Sequence, residues 1–391
     1  MHCFMLAGVS SNVGKTTVTM GVMAALKRLG QSVVPFKTGP DYIDPMFHQF
    51  VTGHPSTNLD TWLVEPDLIR TLCFQKLQED DVGVVEGVMG LYDGHSTEDT
   101  VGSSAYLAKT LGIPVFLIID GRGMSLSAAA LVKGYADFDP ELTIAGVIIN
   151  RIASQSHYAL LKEGIEQNTG IPCVGWLPDN PELAVGSRHL GLIPADELKD
   201  LEHTVSFCAA LVQSHVDLKQ MLALSQNTGR PAGRQDPFDV VAGLYAGLRI
   251  GYAWDKAFNF YYYDNLEALK KCGVTMVPFS PLEDKALPEV DGLYLGGGFP
   301  EVFGREFEAN APFRKNLLAA LLKDLPCYAE CGGLMVLTES LQTKTGERTA
   351  GVGFFKARTV MTRKLQRFGY VTVETELSGK PYTLRAHEFH H

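Results

Sequence analysis

Short, uninterrupted apolar runs separated by helix-length segments are the feature that most restricts the fold of this 391-residue chain. The runs do not alternate between apolar and polar residues, so the strands they predict have no face for solvent. Such strands are typical of a parallel sheet covered by helices on both sides. We therefore predict a doubly wound α/β domain over the first ~200 residues. The predicted strands are Cys3–Gly8, Ser32–Phe36, Val82–Val85, Pro114–Ile119, Ile144–Ile149 and Cys173–Leu177.

Composition excludes several other classes of protein. Apolar residues make up 46% of the chain and charged residues 20%, which is typical of a compact folded protein. A formal net charge of −10 argues against a nucleic-acid-binding surface. No apolar run approaches the ~20 residues needed to cross a bilayer, and no signal peptide precedes the first strand. Seven scattered cysteines without a CxxC pair predict neither a disulfide framework nor a zinc ribbon, so we expect a cytoplasmic protein with no membrane partner.

A stretch rich in turn-forming residues divides the chain. Residues 224–246 lack an apolar period and contain several glycines, prolines and polar residues, as linkers do. We therefore predict two α/β domains, residues 1–223 and 247–391, joined by a linker over 224–246. In the second domain, strands are predicted at 248–253, 274–277, 292–295 and 326–328, with a helix at 264–272.

The first predicted strand leads into a glycine-rich loop and then a helix. Glycines let backbone N–H groups turn toward phosphates, while Lys15 can reach the outer phosphates of a nucleotide and the Thr16 hydroxyl can ligate Mg²⁺. Five residues separate Gly8 from Gly14, one more than in the common spacing. The alternative is a glycine-rich turn capped by threonine. Predicted nucleotide-binding residues are Gly8, Ser11, Asn12, Val13, Gly14, Lys15, Thr16 and Thr17, with Asn150, which either contacts adenine or caps a strand.

Carboxylates follow the second and third predicted strands. Asp41 comes just after the second strand, and Glu86 and Asp93 come after the third. Because the carboxyl ends of parallel strands meet at one edge, these groups should lie near the glycine-rich loop, where a phosphate-bound cation needs oxygen ligands. Taken alone, the same sequences are also ordinary turns. With the loop present, we predict catalytic roles for all three and a metal site of Thr16, Asp41 and Glu86, with Asp93 the weakest member.

A cysteine stands between a predicted strand and a glycine-rich helix start in the second half. At Cys331 a sharp turn would expose the thiol, and the following helix would lower its pKa. Gly332, with Gly297 and Gly298 after another strand, would supply N–H groups for an oxyanion. The alternative is a buried structural cysteine. Cys327, within the strand, fits that description better.

The last five residues, His387–His391, match the HExxH pattern of zinc peptidases. We reject that interpretation, because the pattern needs both histidines one turn apart on a helix and a further ligand downstream.

In their order along both halves, these motifs resemble the cobyrinic acid a,c-diamide synthase family. The resemblance implies a dethiobiotin-synthetase-type P-loop domain fused to a class I glutamine amidotransferase domain, and the five-residue loop spacing is usual for the former. Besides the segments above, the resemblance is carried by Phe36–Asp44, Glu86–Gly94, Arg188–Ile193, Ala257–Tyr262, Leu295–Glu301 and Glu330–Met335.

The resemblance implies a two-part ligase of cobalamin biosynthesis. MgATP would phosphorylate the c and then the a carboxylate of a corrin ring, and ammonia would displace the phosphate. Glutamine hydrolysis through a thioester on Cys331 would supply the ammonia. The close alternative is a nickel-sirohydrochlorin a,c-diamide synthase. A more distant one is a ParA-like ATPase switch, which has no place for an amidotransferase domain.

One expectation concerns the base that activates Cys331. In the family the resemblance names, the activating histidine lies well beyond the region of His387, and this sequence stops before it. We therefore expect an incomplete amidotransferase domain, with glutaminase activity only if the histidine cluster at His387–His391 takes the place of that base. The sequence leaves open whether the chain forms a homodimer.

Overall fold

A computed structural model describes residues 1–183, 187–188, 191–192, 200–226, 236–377 and 379–391. The chain divides into two compact units. The first unit comprises Met1–Gln235 and Tyr370–His387, and the second comprises Asp236–Gly369 and Glu388–His391. Among the described residues, no helix is both long and apolar enough to cross a membrane.

A seven-stranded parallel sheet forms the centre of the first unit, with strand order β3-β2-β4-β1-β5-β6-β7. The chain moves from β1 first to one side of the sheet and later to the other. The carboxyl end of β1 is therefore the switch point where doubly wound folds bind ligands. The strands are β1 His2–Gly8, β2 Ser32–Thr38, β3 Thr57–Leu59, β4 Asp81–Glu86, β5 Val115–Asp120, β6 Ile144–Ile152 and β7 Cys173–Pro178.

Helices cover both faces of this sheet, which explains the absence of polar faces in its strands. Residues 3–7 of β1 and 115–119 of β5 are fully buried. Helix α1 is itself buried almost all round, from Val18 to Leu26, because it packs between the sheet and α7. The helices are α1 Lys15–Arg28, α2 Asp44–Thr52, α3 Pro66–Phe74, α4 Ser104–Leu111, α5 Ser127–Phe138, α6 Gln155–Thr169, α7 Leu201–His215 and α8 Leu218–Leu224.

The Arg188–Ile193 motif lies largely outside the described residues. Only the backbone of two short antiparallel strands, β8 Ser187–Arg188 and β9 Gly191–Leu192, is described there.

The second unit is built on a four-stranded parallel sheet of order β11-β10-β12-β13. It also contains a three-stranded sheet of order β15-β14-β16. Its apolar core includes Phe258, Phe299, Phe307 and Phe313. The strands are β10 Arg249–Ala253, β11 Thr275–Phe279, β12 Gly292–Leu295, β13 Cys327–Ala329, β14 Thr338–Gln342, β15 Arg348–Ala350 and β16 Phe355–Val360. The helices are α9 Tyr263–Lys271, α10 Gly304–Ala309, α11 Ala311–Leu321 and α12 Gly332–Val336.

A C-terminal hairpin of β17 Arg367–Leu377 and β18 Lys380–His390 completes the fold. Its residues 370–387 belong to the first unit, where the hydroxyl of Tyr370 donates to Oδ2 of Asp60 (2.9 Å) and Arg385 donates to the carbonyl of Trp62 (3.0 Å). The compact units therefore group residues 370–387 differently from our predicted domain 247–391, and the domain boundaries stay a prediction. The hairpin also shows that His387–His390 form strand, not the helix that a zinc peptidase requires.

Candidate active sites

The glycine-rich loop leaves β1 and enters α1 through two left-handed residues, Asn12 (φ 64°) and Gly14 (φ 91°). A Cβ at Gly14 would lie 2.2 Å from Nδ2 of Asn150, so only glycine fits both the backbone and the space. Nδ2 of Asn150 donates to the carbonyl of Val13 (2.8 Å), and its Oδ1 accepts from the N–H of Arg151 (2.9 Å). Asn150 therefore supports the loop, and its contact with adenine stays a prediction.

Lys15 lies along the inside of the loop. Its Nζ donates to the carbonyl of Ser10 (2.9 Å). Burial and the neighbouring charge of Lys37 lower the pKa of Lys15 to about 8, although nearby carboxylates oppose the change. Of the other predicted loop residues, Val13 is buried, Ser11 is exposed, and Thr17 donates its hydroxyl to the carbonyl of Leu183 (3.3 Å).

Glu86 is the centre of a buried polar cluster at the end of β4. Its Oε1 accepts from the hydroxyl of Thr16 (2.7 Å) and from Nζ of Lys37 (3.3 Å). Its Oε2 lies 2.7 Å from Nε2 of His48. The pairing of β2 with β4 places Lys37 opposite Glu86, so the sheet register itself brings the cation to the carboxylate.

Lys37 joins a second carboxylate to the same cluster. Its Nζ lies 2.5 Å from Oδ2 of Asp44, at the start of α2, and 3.8 Å from Oδ2 of Asp41. Lys37, His48 and Glu86 are almost completely buried. Buried charges of this kind are stable only when they are paired and hydrogen-bonded.

The pKa shifts follow from this arrangement. Burial alone would raise the pKa of Glu86, but Lys37 and the hydrogen bonds from His48 and Thr16 outweigh burial and lower it. Burial alone would lower the pKa of Lys37, but Asp44 and Glu86 raise it. Burial and the charge of Asp41 raise the pKa of Asp44 well above its usual range. The site thus keeps an ionised Glu86 and a cationic Lys37 beside the phosphate loop.

Asp41 and Asp93, the two remaining predicted carboxylates, lie at this same edge of the sheet, where they accept hydrogen bonds from backbone N–H groups. Oδ1 of Asp41 accepts from the N–H groups of Ile43 (2.8 Å) and Asp44 (3.1 Å), and so starts α2. Oδ2 of Asp93 accepts from the N–H of Gly90 (2.8 Å). The charge of Asp93 also acts on Lys15, which places it near the phosphate loop.

Sequence reasoning did not select Lys37, Asp44 or His48 as site residues. Two signals could have found them. Lys37 is a lysine inside an otherwise apolar strand, and Asp44 and His48 are four residues apart on one helix, which places them on the same face.

Two of the predicted metal ligands, Thr16 and Glu86, place side-chain oxygen atoms 2.7 Å apart. Oxygen atoms are the ligands that Mg²⁺, a hard cation, prefers. Across the described part of the chain, no group of three or more His, Cys, Asp or Glu side chains could hold a metal ion. Thr16 would hold a Mg²⁺ ion through its hydroxyl oxygen.

Cys331 occupies a sharp turn between β13 and α12 in the second unit. Its backbone has φ 48° and ψ −119°, a strained conformation for a residue with a side chain. The residue is exposed, as a nucleophile elbow requires. By contrast, Cys327 is half-buried within β13, and burial raises its pKa to about 11.

Two of the three predicted oxyanion donors act on the thiol. The backbone N–H groups of Gly298 and Gly332 lower the pKa of Cys331, against the larger effect of burial. Gly298 has φ 150°, and a Cβ there would lie 2.0 Å from the carbonyl of Ala257, so glycine permits this approach. Gly297 is corrected, because its N–H donates to the carbonyl of Phe260 (3.3 Å) instead.

The net pKa of Cys331 is raised, because the protein packed around the sulfur desolvates it even though the residue reaches the surface, and the charges of Glu301 and Glu330 raise it further. The N–H of Gly332, at the start of the following helix, acts to lower the pKa as predicted, but it does not outweigh burial. The helix has only five residues, so its dipole is short. Glu330 is held in place by the hydroxyls of Tyr294 (2.8 Å) and Tyr328 (3.0 Å).

Together, a phosphate loop beside buried carboxylates and an elbow cysteine facing amide donors define a class of protein: a P-loop synthetase combined with a cysteine-dependent amidotransferase. Residues 4–192 match the CobQ/CobB/MinD/ParA nucleotide binding domain, and residues 249–391 match the CobB/CobQ-like glutamine amidotransferase domain.

Relatives from several bacteria are similar to this chain over its whole length. It is 46% identical over 396 residues to cobyrinate a,c-diamide synthase of Listeria innocua, covering 100% of this chain and 87% of the relative. The cobyrinate a,c-diamide synthase of Streptococcus sanguinis is 48% identical to this chain, and that of Salmonella typhimurium is 42% identical. Each match covers 100% of this chain and 86% of the relative. The chain belongs to the cobyrinate a,c-diamide synthase family.

Proposed function

We propose that the chain amidates the c and a carboxylates of cobyrinic acid, a corrinoid polycarboxylic acid, at the cost of ATP. The observation that carries this proposal is the contact between Thr16 of the phosphate loop and the buried Glu86–Lys37 pair. It brings phosphate-binding groups and fixed charges to one edge of the sheet. Transfer of a phosphoryl group to a carboxylate needs little else from the protein than positioning and charge stabilisation.

In this proposal, Lys15 and the loop amides bind the β- and γ-phosphates of ATP. Thr16 would hold Mg²⁺, with Glu86 fixing its hydroxyl, and the ion would neutralise developing negative charge on the phosphates. Asp41 and Asp93 stay as proposed site residues that orient the loops around the substrate carboxylate. The product of the first step is an acyl phosphate, whose carbonyl is attacked by ammonia with loss of phosphate.

The second unit supplies ammonia. The sulfur of Cys331 attacks the side-chain amide of glutamine, and the oxyanion that forms would accept hydrogen bonds from the N–H groups of Gly298 and Gly332. Ammonia leaves, and water then hydrolyses the thioester to glutamate. Because the pKa of Cys331 is raised, this step needs a base that removes the thiol proton as the bond forms.

The test is a product assay by mass spectrometry. The chain is incubated with cobyrinic acid, ATP and Mg²⁺, with glutamine in one reaction and ammonia in another. Each amidation lowers the product mass by about one unit, because an OH group is replaced by NH₂. We expect Lys15→Ala to abolish product in both reactions, whereas Lys133→Ala, at an exposed lysine of α5, should retain it.

The two cysteines provide a matched pair for the second unit. Cys331→Ser should remove glutamine-dependent product and keep ammonia-dependent product, while Cys327→Ser should keep both. Product formation by the Lys15→Ala variant, or equal effects of the two cysteine variants, would contradict the assignment. ATP hydrolysis without any amide product would favour an ATPase switch instead.

A further inference from the structure

His48 is a buried histidine whose two ring nitrogens are both engaged. It lies on α2, has no exposed surface, and stands between Glu86 and Ser56. Its Nε2 is 2.7 Å from Oε2 of Glu86, and its Nδ1 is 3.0 Å from the hydroxyl oxygen of Ser56. A ring held at both ends in this way has one orientation and little freedom to move.

The partners decide which nitrogen carries the proton. Glu86 accepts from Thr16 and pairs with the Lys37 cation at Oε1, as a carboxylate does, so we infer that Nε2 of His48 carries the proton and donates to Oε2. The hydroxyl of Ser56 can then donate to Nδ1. His48 therefore faces Glu86 as a fixed N–H group, in the same manner as a histidine oriented by a second partner behind it.

Glu86 depends on this donor for its own orientation. Its other oxygen, Oε1, accepts from Thr16 and Lys37, so the carboxylate is held on both sides. Without the Nε2–H donor, Oε2 would be a buried acceptor that lacks this hydrogen bond, and the carboxylate could rotate to find another. The acceptor that fixes the Thr16 hydroxyl would move with it.

We propose that His48 is a positioning residue of the synthetase site, which holds Glu86 so that the Thr16 hydroxyl donates to Oε1 and its oxygen would be able to hold Mg²⁺. This inference rests on the proposed function, because it assumes that Thr16 is a magnesium ligand. His48 does not touch the nucleotide or the substrate in this role. Its effect is on the coupling between Mg²⁺ and nucleotide binding.

Two substitutions separate positioning from space filling. In His48→Gln the side-chain amide can reach the position of Nε2 and still donate to Glu86. In His48→Asn the amide reaches only the position of Nδ1, so the contact with Ser56 is kept and the contact with Glu86 is lost. The corresponding substitutions at His157, a half-buried histidine of α6, serve as controls.

The measurement is the affinity for a non-hydrolysable ATP analogue, by calorimetry, with Mg²⁺ and with EDTA. We expect His48→Asn to weaken binding about 10- to 100-fold with Mg²⁺, as for other residues that orient a metal ligand, and to change it little with EDTA. His48→Gln should retain most of the Mg²⁺-dependent affinity. Equal affinities for the two variants, or a loss of equal size with EDTA, would overturn the proposal.

A measurement on the unsubstituted protein covers the case in which a variant does not fold. Nitrogen-15 NMR of the histidine rings should show a proton on Nε2 of His48, and a proton on Nδ1 alone would overturn the proposal. Nucleotide affinity that does not depend on Mg²⁺ would do the same. Absence of amide product with these affinities intact would count against the proposed function only.

Discussion

Replacing Gly14 by alanine tests whether the phosphate loop depends on a left-handed backbone and on close contact with Asn150. Gly14 has φ 91°, and a Cβ there would lie 2.2 Å from Nδ2 of Asn150. A left-handed backbone costs a residue with a side chain about 1–2 kcal/mol. The clash would also displace Asn150 from the carbonyl of Val13 and remove a hydrogen bond worth about 1 kcal/mol. The backbone strain and the lost hydrogen bond both distort the loop that is proposed to bind the phosphates.

We expect Gly14→Ala to weaken the binding of the ATP analogue about 30-fold or more, because about 1.4 kcal/mol corresponds to a factor of ten. Calorimetry gives the dissociation constant. Gly30→Ala is the matched control, since Gly30 also has a positive φ (81°) but no atom lies within 4 Å of a Cβ built there. That variant should lose stability from backbone strain and keep its nucleotide affinity.

A double-mutant cycle separates the clash from the strain. Asn150→Ala removes the clashing atom, so the double variant should bind better than the two single losses predict, with a coupling of about 1 kcal/mol or more. Strictly additive losses would refute the role assigned to Asn150. Unchanged binding by Gly14→Ala would refute the account of the loop.

Three further predictions concern buried and reactive groups. Lys37→Met should lower the free energy of unfolding by about 3–5 kcal/mol, because it leaves buried carboxylates without their cation, and adding Glu86→Gln should restore part of the loss in urea titrations. Tyr370→Phe should cost about 1–3 kcal/mol, because the buried carboxylate of Asp60 loses a hydrogen bond, and thermal unfolding measures the effect. Alkylation of Cys331 by iodoacetamide should rise with pH to a midpoint above that of an unperturbed thiol, because burial raises its pKa.

Neighbouring residues provide the controls. Tyr382→Phe changes an exposed tyrosine of the same hairpin and should leave the unfolding temperature within error. Cys327 should react more slowly than Cys331 at every pH, because it is less exposed and its pKa is raised to about 11. A Lys37→Met protein as stable as the parent, or a Cys331 midpoint below that of an unperturbed thiol, would show that the charge arrangement is misread.

The apolar strands could be predicted because burial on both faces leaves an unbroken pattern in the sequence. The strand Thr57–Leu59 could not, since three residues carry no period. The motif around Gly14 was equally visible, because a phosphate loop is local in sequence. Its support by Asn150 was not, because that contact depends on how β6 lies relative to the loop.

The buried cluster shows a different limit. Lys37 and Glu86 are 49 positions apart in the sequence, and the register of β2 and β4 brings them together. His48 contacts Glu86 from helix α2. Register follows from the packing of the whole sheet and not from either strand alone. The net pKa of Cys331 could not be predicted for a related reason. The turn sequence indicates the amide donor at the helix start, whereas desolvation and the neighbouring carboxylates, which raise the pKa, depend on the folded surroundings.

The hairpin that carries Tyr370 has a consequence for how the chain is made. Residues 370–387 leave the ribosome long after the rest of the first unit, so that unit must wait for the whole of 236–369 before its last contacts form. Until then Asp60 lacks the Tyr370 hydroxyl, which is its partner 310 positions away. A nascent chain that has released its phosphate loop therefore still lacks the contacts that the hairpin makes with the first unit.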